Sequence, residues 1–271
     1  MTKPNNNIST SLIVSTYNWP AALKTCLLSI KAQQTLPDEV IIADDGSNEV
    51  TKKLIDEMRP AFPVPIVHVW QEDNGFQLAK IRNKAIAKAS GDYIIQIDGD
   101  LLLQKDFIKD HLLFSEKNFF VTGSRLLMNE ELSKKVLHSP LFKVGIFTKG
   151  VSNILNGVRA KAIGNFLAMR YRSRKDPYYV KGCNMAFWKK DLIAVNGYNE
   201  DFVGWGKEDS ELAIRLINHD IKKKFLKFQG VVYHIYHKEA SRKMEQKNEM
   251  LMQASINNKL TRCTNGLDAY L

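Results

Sequence analysis

Four apolar runs between residues 11 and 100, each divided from the next by a segment of helical spacing, restrict this chain to very few folds. Ser11–Thr16, Asp38–Asp44, Ile66–Trp70 and Asp92–Asp98 are rich in β-branched residues and short enough to be buried strands. Between the first two, Pro20 opens a helix to about Gln33 that sets Leu23, Leu27, Ile30 and Cys26 on one side. Asn48 to Met58 and Phe76 to Ala89 repeat the pattern, and Pro60, Pro63 and Pro65 tighten the connection into the third strand. Short-looped alternation of this kind predicts an α/β fold, a parallel sheet with helices on both faces. The 271 residues suffice for one large domain or for a domain with an elaborated second half.

In such a sheet, ligands gather outside the carboxyl ends of the strands. That rule collects Thr16, Tyr17, Asn18 and Trp19, then Asp44–Ser47, Asp73–Gly75 and Asp98–Asp100, along one edge. Neither a G-x-G-x-x-G turn nor a phosphate-cradling P-loop is present. Asp44 or Asp45 can accept hydrogen bonds from a base or ribose, or cap the helix that starts near Ser47. Asp98 and Asp100, set about Gly99, read either as a solvated acidic turn or as the seat of a hard divalent cation whose partner would be a diphosphate. Beyond them, Leu101–Leu103 reads as a short turn, Phe107–Phe114 as a helix and Phe119–Thr122 as a further strand.

The formal net charge of +10 favours polyanions, anionic lipid or phosphorylated small molecules without choosing among them. Between Arg125 and Lys175, eleven Lys or Arg residues face only Glu130 and Glu131, interleaved with apolar residues that include Leu141, Phe142, Ile163, Phe166 and Leu167. That segment reads as an amphipathic lid, as a surface meeting anionic lipid, or as a basic-faced helical subdomain over the sheet edge. Arg170–Lys175 lacks a recognised nucleic-acid module around it, so no nucleic-acid partner is expected. Three scattered cysteines, Cys26, Cys183 and Cys263, argue against a disulfide scaffold. Met1–Ser9 has no apolar core and no run resembles a membrane span, so a cytoplasmic protein is expected, in peripheral contact with the inner face of the membrane if the basic segment meets lipid. Oligomeric state is not readable.

The second half adds chemistry. Lys181–Trp188 looks like a loop turning into a buried strand or short helix, and Gly197–Gly206 is an aromatic-rich segment whose Trp205 suits the apolar face of a polar ring. Glu208 and Asp209 open a helix to Asn218, where the dipole favours an acid but does not account for two beside a Gly-Trp-Gly loop. Gly230–His237 reads as a late edge strand ending in His237. Imidazole and carboxylate together suit a divalent ion such as manganese, so His237 is a candidate ligand with Asp98 and Asp100. His234 lies on the opposite face of a regular strand and can join only if the strand bends or ends between the two; otherwise it is a core histidine.

Val14-Ser-Thr-Tyr-Asn18, Ala43-Asp-Asp-Gly-Ser47, Asn74-Gly75 with Arg82-Asn83, Asp98-Gly-Asp100, Gly182-Cys-Asn184, Gly204-Trp-Gly-Lys-Glu-Asp209 and His234–His237 follow one another in order. In this set the chain resembles a family 2 glycosyltransferase of GT-A type, with a second half similar to the C-terminal domain of galactosyltransferases and to bacterial chondroitin polymerases. The resemblance implies a Rossmann-like, mostly parallel GT-A sheet flanked by helices, with an acceptor-side C-terminal elaboration. Residues 1–123 would form the nucleotide-sugar half, 124–177 a basic, variable helical insertion, 178–240 the acceptor and catalytic part, and 241–271 a helical tail. A UDP-sugar donor, Mn2+ or Mg2+, and a glycan or lipid-linked oligosaccharide acceptor are implied with it. Thr16, Tyr17, Asp44 and Asp45 would meet uracil and ribose, with Asn18, Arg82, Gly182 and Trp205 lining the same pocket. Asp98 would lie toward ribose or metal, Asp100 and His237 would hold the metal, Asp209 would be the general base and Glu208 would help hold acceptor or sugar.

The reaction this implies is a single displacement with inversion, the acceptor hydroxyl losing its proton to a carboxylate as it attacks. A sugar-nucleotide hydrolase would use the same crevice with water at Asp209, and a nucleotidyltransferase would release pyrophosphate. A noncatalytic protein that binds anionic membrane or nucleic acid would use the net charge alone.

Overall fold

The computed structural model describes residues 8–139, 143–160, 178–238 and 241–271. Residues 1–7, the run Arg170–Lys175 and Leu141, Phe142, Ile163, Phe166 and Leu167 of the basic segment lie outside the described residues.

The four expected strands form as β1 (Thr10–Thr16), β2 (Glu39–Asp44), β3 (Ile66–Trp70) and β4 (Tyr93–Asp98), paired in parallel in the order β4-β1-β2-β3. Every residue of β1 and β2 is buried, which is why both read as continuous rather than alternating apolar runs. Leu12, Val14, Val40 and Ile42 pack on one face with Leu23, Leu27 and Ile30 of α1 (Pro20–Lys31), and α2 (Glu49–Met58) adds Ile55. Ile13, Ile41 and Ile94 pack on the other face with Ile81 and Ala85 of α3 (Leu78–Lys88). The register sets Thr16 opposite Asp44 and Ser15 opposite Asp98, so the strand ends open along one line.

Three further strands extend the sheet past β4. After α4 (Phe107–Leu113) come β6 (Phe119–Thr122) and later β9 (Asn184–Trp188), which runs antiparallel between β4 and β6; β10 (Lys222–Phe225) closes the edge. The sequence did not suggest β10, whose three lysines suit a charged edge strand. Between β9 and β10 lie α6 (Lys189–Ala194) and α7 (Glu208–Asn218), and α8 (Glu245–Asn257) packs against α7.

Several expectations are corrected. Leu101–Leu103 is not a turn but β5, because it pairs antiparallel with β11 (Val232–His234) in a second sheet. That sheet runs β5-β11-β7-β8, with β7 at Leu126–Met128 and β8 at Val151–Ser152, so β11 is an interior strand rather than an edge and ends at His234 rather than His237. The described part of 124–177 therefore carries two strands beside α5 (Glu130–His138). Neither Asp44 nor Asp45 caps α2: the Asn48 side chain accepts from Val50 N at 3.0 Å. Among the described residues no helix is long and apolar enough to cross a membrane.

Candidate active site

The two sheets meet at Asp98-Gly-Asp100. β4 ends at Asp98, Gly99 N donates to Ser15 O at 2.7 Å, and β5 begins at once. A Cβ on Gly99 would stand 3.0 Å from Ser15 O, a tight fit that glycine relieves. Ile235 N donates to Asp100 O at 2.9 Å, which holds the end of β11 against this corner. With the strand finished at His234, the chain bends and brings His237 back to the same side. His234 Nε2 and His237 Nε2 lie 3.3 and 3.1 Å from Asp100 Oδ2, and one ligand atom from each residue falls within 4.8 Å of the others.

A buried carboxylate oxygen with no partner is costly. Asp100 Oδ1 is such an atom, while the two imidazole nitrogens lie against the other oxygen of the same carboxylate, Oδ2. One carboxylate and two imidazoles suit a divalent transition ion, so these residues fit the metal that the resemblance implies. Burial opposes ionisation of Asp100, but the hydrogen bond from His237 and both imidazoles outweigh it and hold its pKa below the ordinary value. The same bond pushes His237 up to about 9, whereas burial takes His234 down to about 4. Asp98, expected as a ligand too, lies outside this group of three and turns to Arg82 instead.

Arg82, in the middle of α3, is 1% exposed and gathers the second part of the site. Nη1 donates to Asp209 Oδ1 at 2.8 Å and approaches Glu208 Oε1 at 3.5 Å; Nη2 donates to Asp98 Oδ1 at 3.1 Å. Burial lowers the guanidinium's pKa, but Asp209, Tyr198, Asp98 and Glu208 outweigh it and leave it above its ordinary range. Burial, then the neighbouring Asp209, raise Glu208 to about 8 against the pull of Arg82, and burial raises Asp98 to about 6. Tyr198 OH donates to Asp209 Oδ1 at 3.2 Å. Asp209 Oδ2 stands against Gly182, where a Cβ would fall 1.5 Å from it, so Gly182 makes the space that Asp209 occupies. Trp205 is 37% exposed, with Arg242 over its ring at 5.0 Å.

The residues expected to meet uracil and ribose line the neighbouring strand ends. Tyr17 is half exposed and donates to Asp73 Oδ2 at 2.8 Å; Thr16 is buried and its carbonyl accepts from Asp45 N at 3.0 Å. Asn18 Oδ1 accepts from Asn48 N at 3.0 Å. Asp44 is fully buried, with Oδ1 accepting from Ser47 N at 2.9 Å and Oδ2 at 2.9 Å from His68 Nε2. Asp45 accepts from Gln71 Nε2 at 2.6 Å and from Gln77 N at 2.8 Å, and burial raises it to about 6. Both carboxylates thus brace loops around the crevice.

Sequence reasoning did not single out Arg125 or Tyr198. Arg125 lies between β6 and β7, its Nη1 3.6 Å from Cys183 Sγ; burial lowers its pKa, and Cys183, Asp98 and Asp100 raise it further. Its only sequence signal was a place just past a strand end, masked by ten other basic residues in the same segment.

A parallel sheet whose strand ends converge on a carboxylate–imidazole cluster and an arginine-held acid pair defines an α/β protein of GT-A type. The chain belongs to glycosyl transferase family 2, whose profile matches residues 11–189. A second profile, described as N-terminal domain of galactosyltransferase, matches residues 165–238. Among similar proteins, the chondroitin synthase of Escherichia coli is 28% identical over 76% of this chain, which covers 32% of that protein. The hyaluronan synthase of Pasteurella multocida is 28% identical over 79% of this chain and 23% of its own length. The validoxylamine A glucosyltransferase of Streptomyces hygroscopicus subsp. limoneus is 27% identical over 78% of this chain and 48% of its own length. The chain thus spans a third or less of the two synthases and about half of the glucosyltransferase. Two solved structures share the fold: S. aureus TarS 1-349 with UDP-GlcNAc (TM-score 0.63, 17% identity, 97% of this chain, 69% of that one) and the mannosyltransferase PcManGT from Pyrobaculum calidifontis with GDP-Man and Mn2+ (TM-score 0.65, 17% identity, 94% and 66%).

Proposed function

We propose that this protein transfers a hexose or N-acetylhexosamine from a UDP-sugar to a hydroxyl of a glycan or lipid-linked acceptor, with inversion and with a divalent cation at Asp100, His234 and His237. The observation that carries this reading is the meeting of the Asp100 carboxylate with His234 Nε2 and His237 Nε2 at the corner where the parallel strands end, its second oxygen buried and partnerless. Bound there, manganese or magnesium supplies positive charge to the diphosphate as the sugar departs. Arg82 and Tyr198 hold Asp209 by Oδ1, which turns Oδ2 toward the Gly182 side to accept the acceptor's proton. Burial and the neighbouring Asp209 raise the pKa of Glu208, which favours its protonated form and a hydrogen bond from it to sugar or acceptor. Trp205 shapes the sugar pocket. The basic residues from Arg125 onward support peripheral contact with the anionic inner face of the cytoplasmic membrane.

The likeness to a UDP-GlcNAc complex and to a GDP-Man and Mn2+ complex sets the panel for the test. Calorimetry with UDP-sugars and GDP-mannose, in manganese and in chelator, is expected to give manganese-dependent binding of a UDP-sugar. Binding that is equal in chelator removes the cation from the reading, and binding of GDP-mannose alone corrects the donor.

A further inference from the structure

Asn248, on α8, is fully buried, and its amide nitrogen points at three backbone carbonyls of one loop: Gly206 O at 3.0 Å, Val203 O at 3.3 Å and Trp205 O at 3.5 Å. That loop has an unusual need of support. Gly204, Gly206 and Lys207 all have positive φ, and Lys207 is the residue from which α7 starts. Three of its carbonyls, at Val203, Trp205 and Gly206, lie outside helix and strand ladders and take the Asn248 amide as donor. α8 supplies more than one such hold. Met244 lies where a Cβ on Gly204 would come within 2.8 Å, Glu249 pairs with Lys207 Nζ at 2.6 Å, and Ser255 Oγ donates to Glu211 Oε1 at 3.0 Å one turn along α7. Glu208 and Asp209 follow directly on Lys207. α8 lies beyond residues 11–189 and 165–238, the spans that match the family profiles.

We infer that α8 is a clamp that fixes the shape of the loop 203–207, and that Asn248 is a positioning residue that sets Trp205 and the first turn of α7 for the acceptor. The catalytic half of this inference rests on the transfer reaction proposed above; the clamp itself does not. A group displaced by about an ångström can cost on the order of 100-fold in rate, which is the scale at stake.

The test is amide hydrogen exchange on the full chain, peptide by peptide, for the wild type, Asn248→Ala and Asn248→Asp, the second keeping the shape while losing the donor. Exchange over residues 203–211 is expected to speed at least about tenfold in both, with β1 and β4 still protected. Steady-state rates are expected to fall about 100-fold in kcat with UDP affinity within about twofold of wild type. Unchanged exchange over 203–211, or acceleration spread evenly through the sheet, overturns the clamp. Equal losses of UDP-binding sites and kcat overturn the positioning role, because they mark fewer folded molecules. Should the buried substitutions prevent folding, Glu249→Gln breaks only the exposed bridge to Lys207 and is expected to speed the same peptides to a smaller extent; no change there overturns the clamp. A wild-type protein that binds no nucleotide sugar defeats the proposed function alone, and the exchange result still decides the clamp.

Discussion

Arg82 faces Asp98, Glu208 and Asp209 with one charge, and its shortest contact, 2.8 Å, goes to Asp209. Because that contact and the Tyr198 hydroxyl both fall on Oδ1, the carboxylate is anchored by one oxygen while the other stands at the Gly182 side. Asp209→Asn keeps size and a carbonyl oxygen for Arg82 but removes the proton acceptor. Transfer is expected to fall by about 100- to 10,000-fold, with UDP-sugar affinity within about twofold of wild type, read by initial rates and calorimetry. Undiminished turnover would move the proton acceptor elsewhere. At this scale the sequence was legible where chemistry and motif order agreed, as for Asp100 and His237, which the structure brings together. His234 was left open because a two-residue strand period separates it from His237, and only the end of β11 at His234 brings both rings to Asp100. Arg82 was placed in the pocket, but its ties to acids 126 and 127 residues away are long-range contacts that no local pattern records.

The elements are held in register by polar joints as well as by their cores. Glu39, at the start of β2, accepts from Ser11 Oγ at 2.6 Å and from Ser90 N and Oγ at 2.6 and 2.8 Å, tying β1, β2 and the loop into β4 together. Burial opposes its ionisation, but these bonds win and hold its pKa below the ordinary 4.5. A lowered native pKa means stability that is present above the unfolded value and is lost as pH falls through the folded one. Glu39→Gln is expected to cost about 1–3 kcal/mol at neutral pH in urea unfolding, with the gap to wild type narrowing below about pH 4.5. A gap that is constant with pH would show that the carboxylate's charge is not what the joint uses. Gly182 makes a second joint, where the approach to β9 meets α7. In Gly182→Ala the new methyl group displaces the Asp209 carboxylate and with it the contact to buried Arg82, so kcat is expected to fall about 100-fold and the thermal midpoint to fall with it. A retained kcat would mean that Asp209 works from another position. β1, β2 and β4 were readable because burial on both faces leaves long apolar runs, and β3, half-buried at the edge, by its β-branched residues after the proline-rich connection. β5 was not, and β11 was read as an edge strand running on to His237, since the pairing of Leu101–Leu103 with Val232–His234 joins segments far apart in the chain.

Across the whole molecule, the site draws Arg82 from α3, Asp98 from β4, Asp100 from the corner between the sheets, Glu208 and Asp209 from α7, and His234 and His237 from the end of β11. Unfolding separates all of them, so a donor and cation that bind this arrangement have no comparable site on the unfolded chain. Such a ligand stabilises the native state by about 2.7 kcal/mol at a hundred times its dissociation constant, equivalent to roughly 5–10 °C in thermal midpoint for a chain of this size. UDP with manganese is expected to give that shift, manganese or UDP alone a smaller one, and chelator is expected to remove the cooperative part. Asp100→Ala separates the cation from the donor: it removes the partnerless Oδ1 together with Oδ2, the partner of His237, so the free protein is expected to melt somewhat below the wild type while the manganese-dependent gain disappears. If Asp100→Ala kept the full gain, the cation would have to bind elsewhere. If the wild type gained as much in chelator, the diphosphate's countercharge would come from the chain's own cations, with Arg125, between β6 and β7 near Asp98 and Asp100, the next residue to substitute.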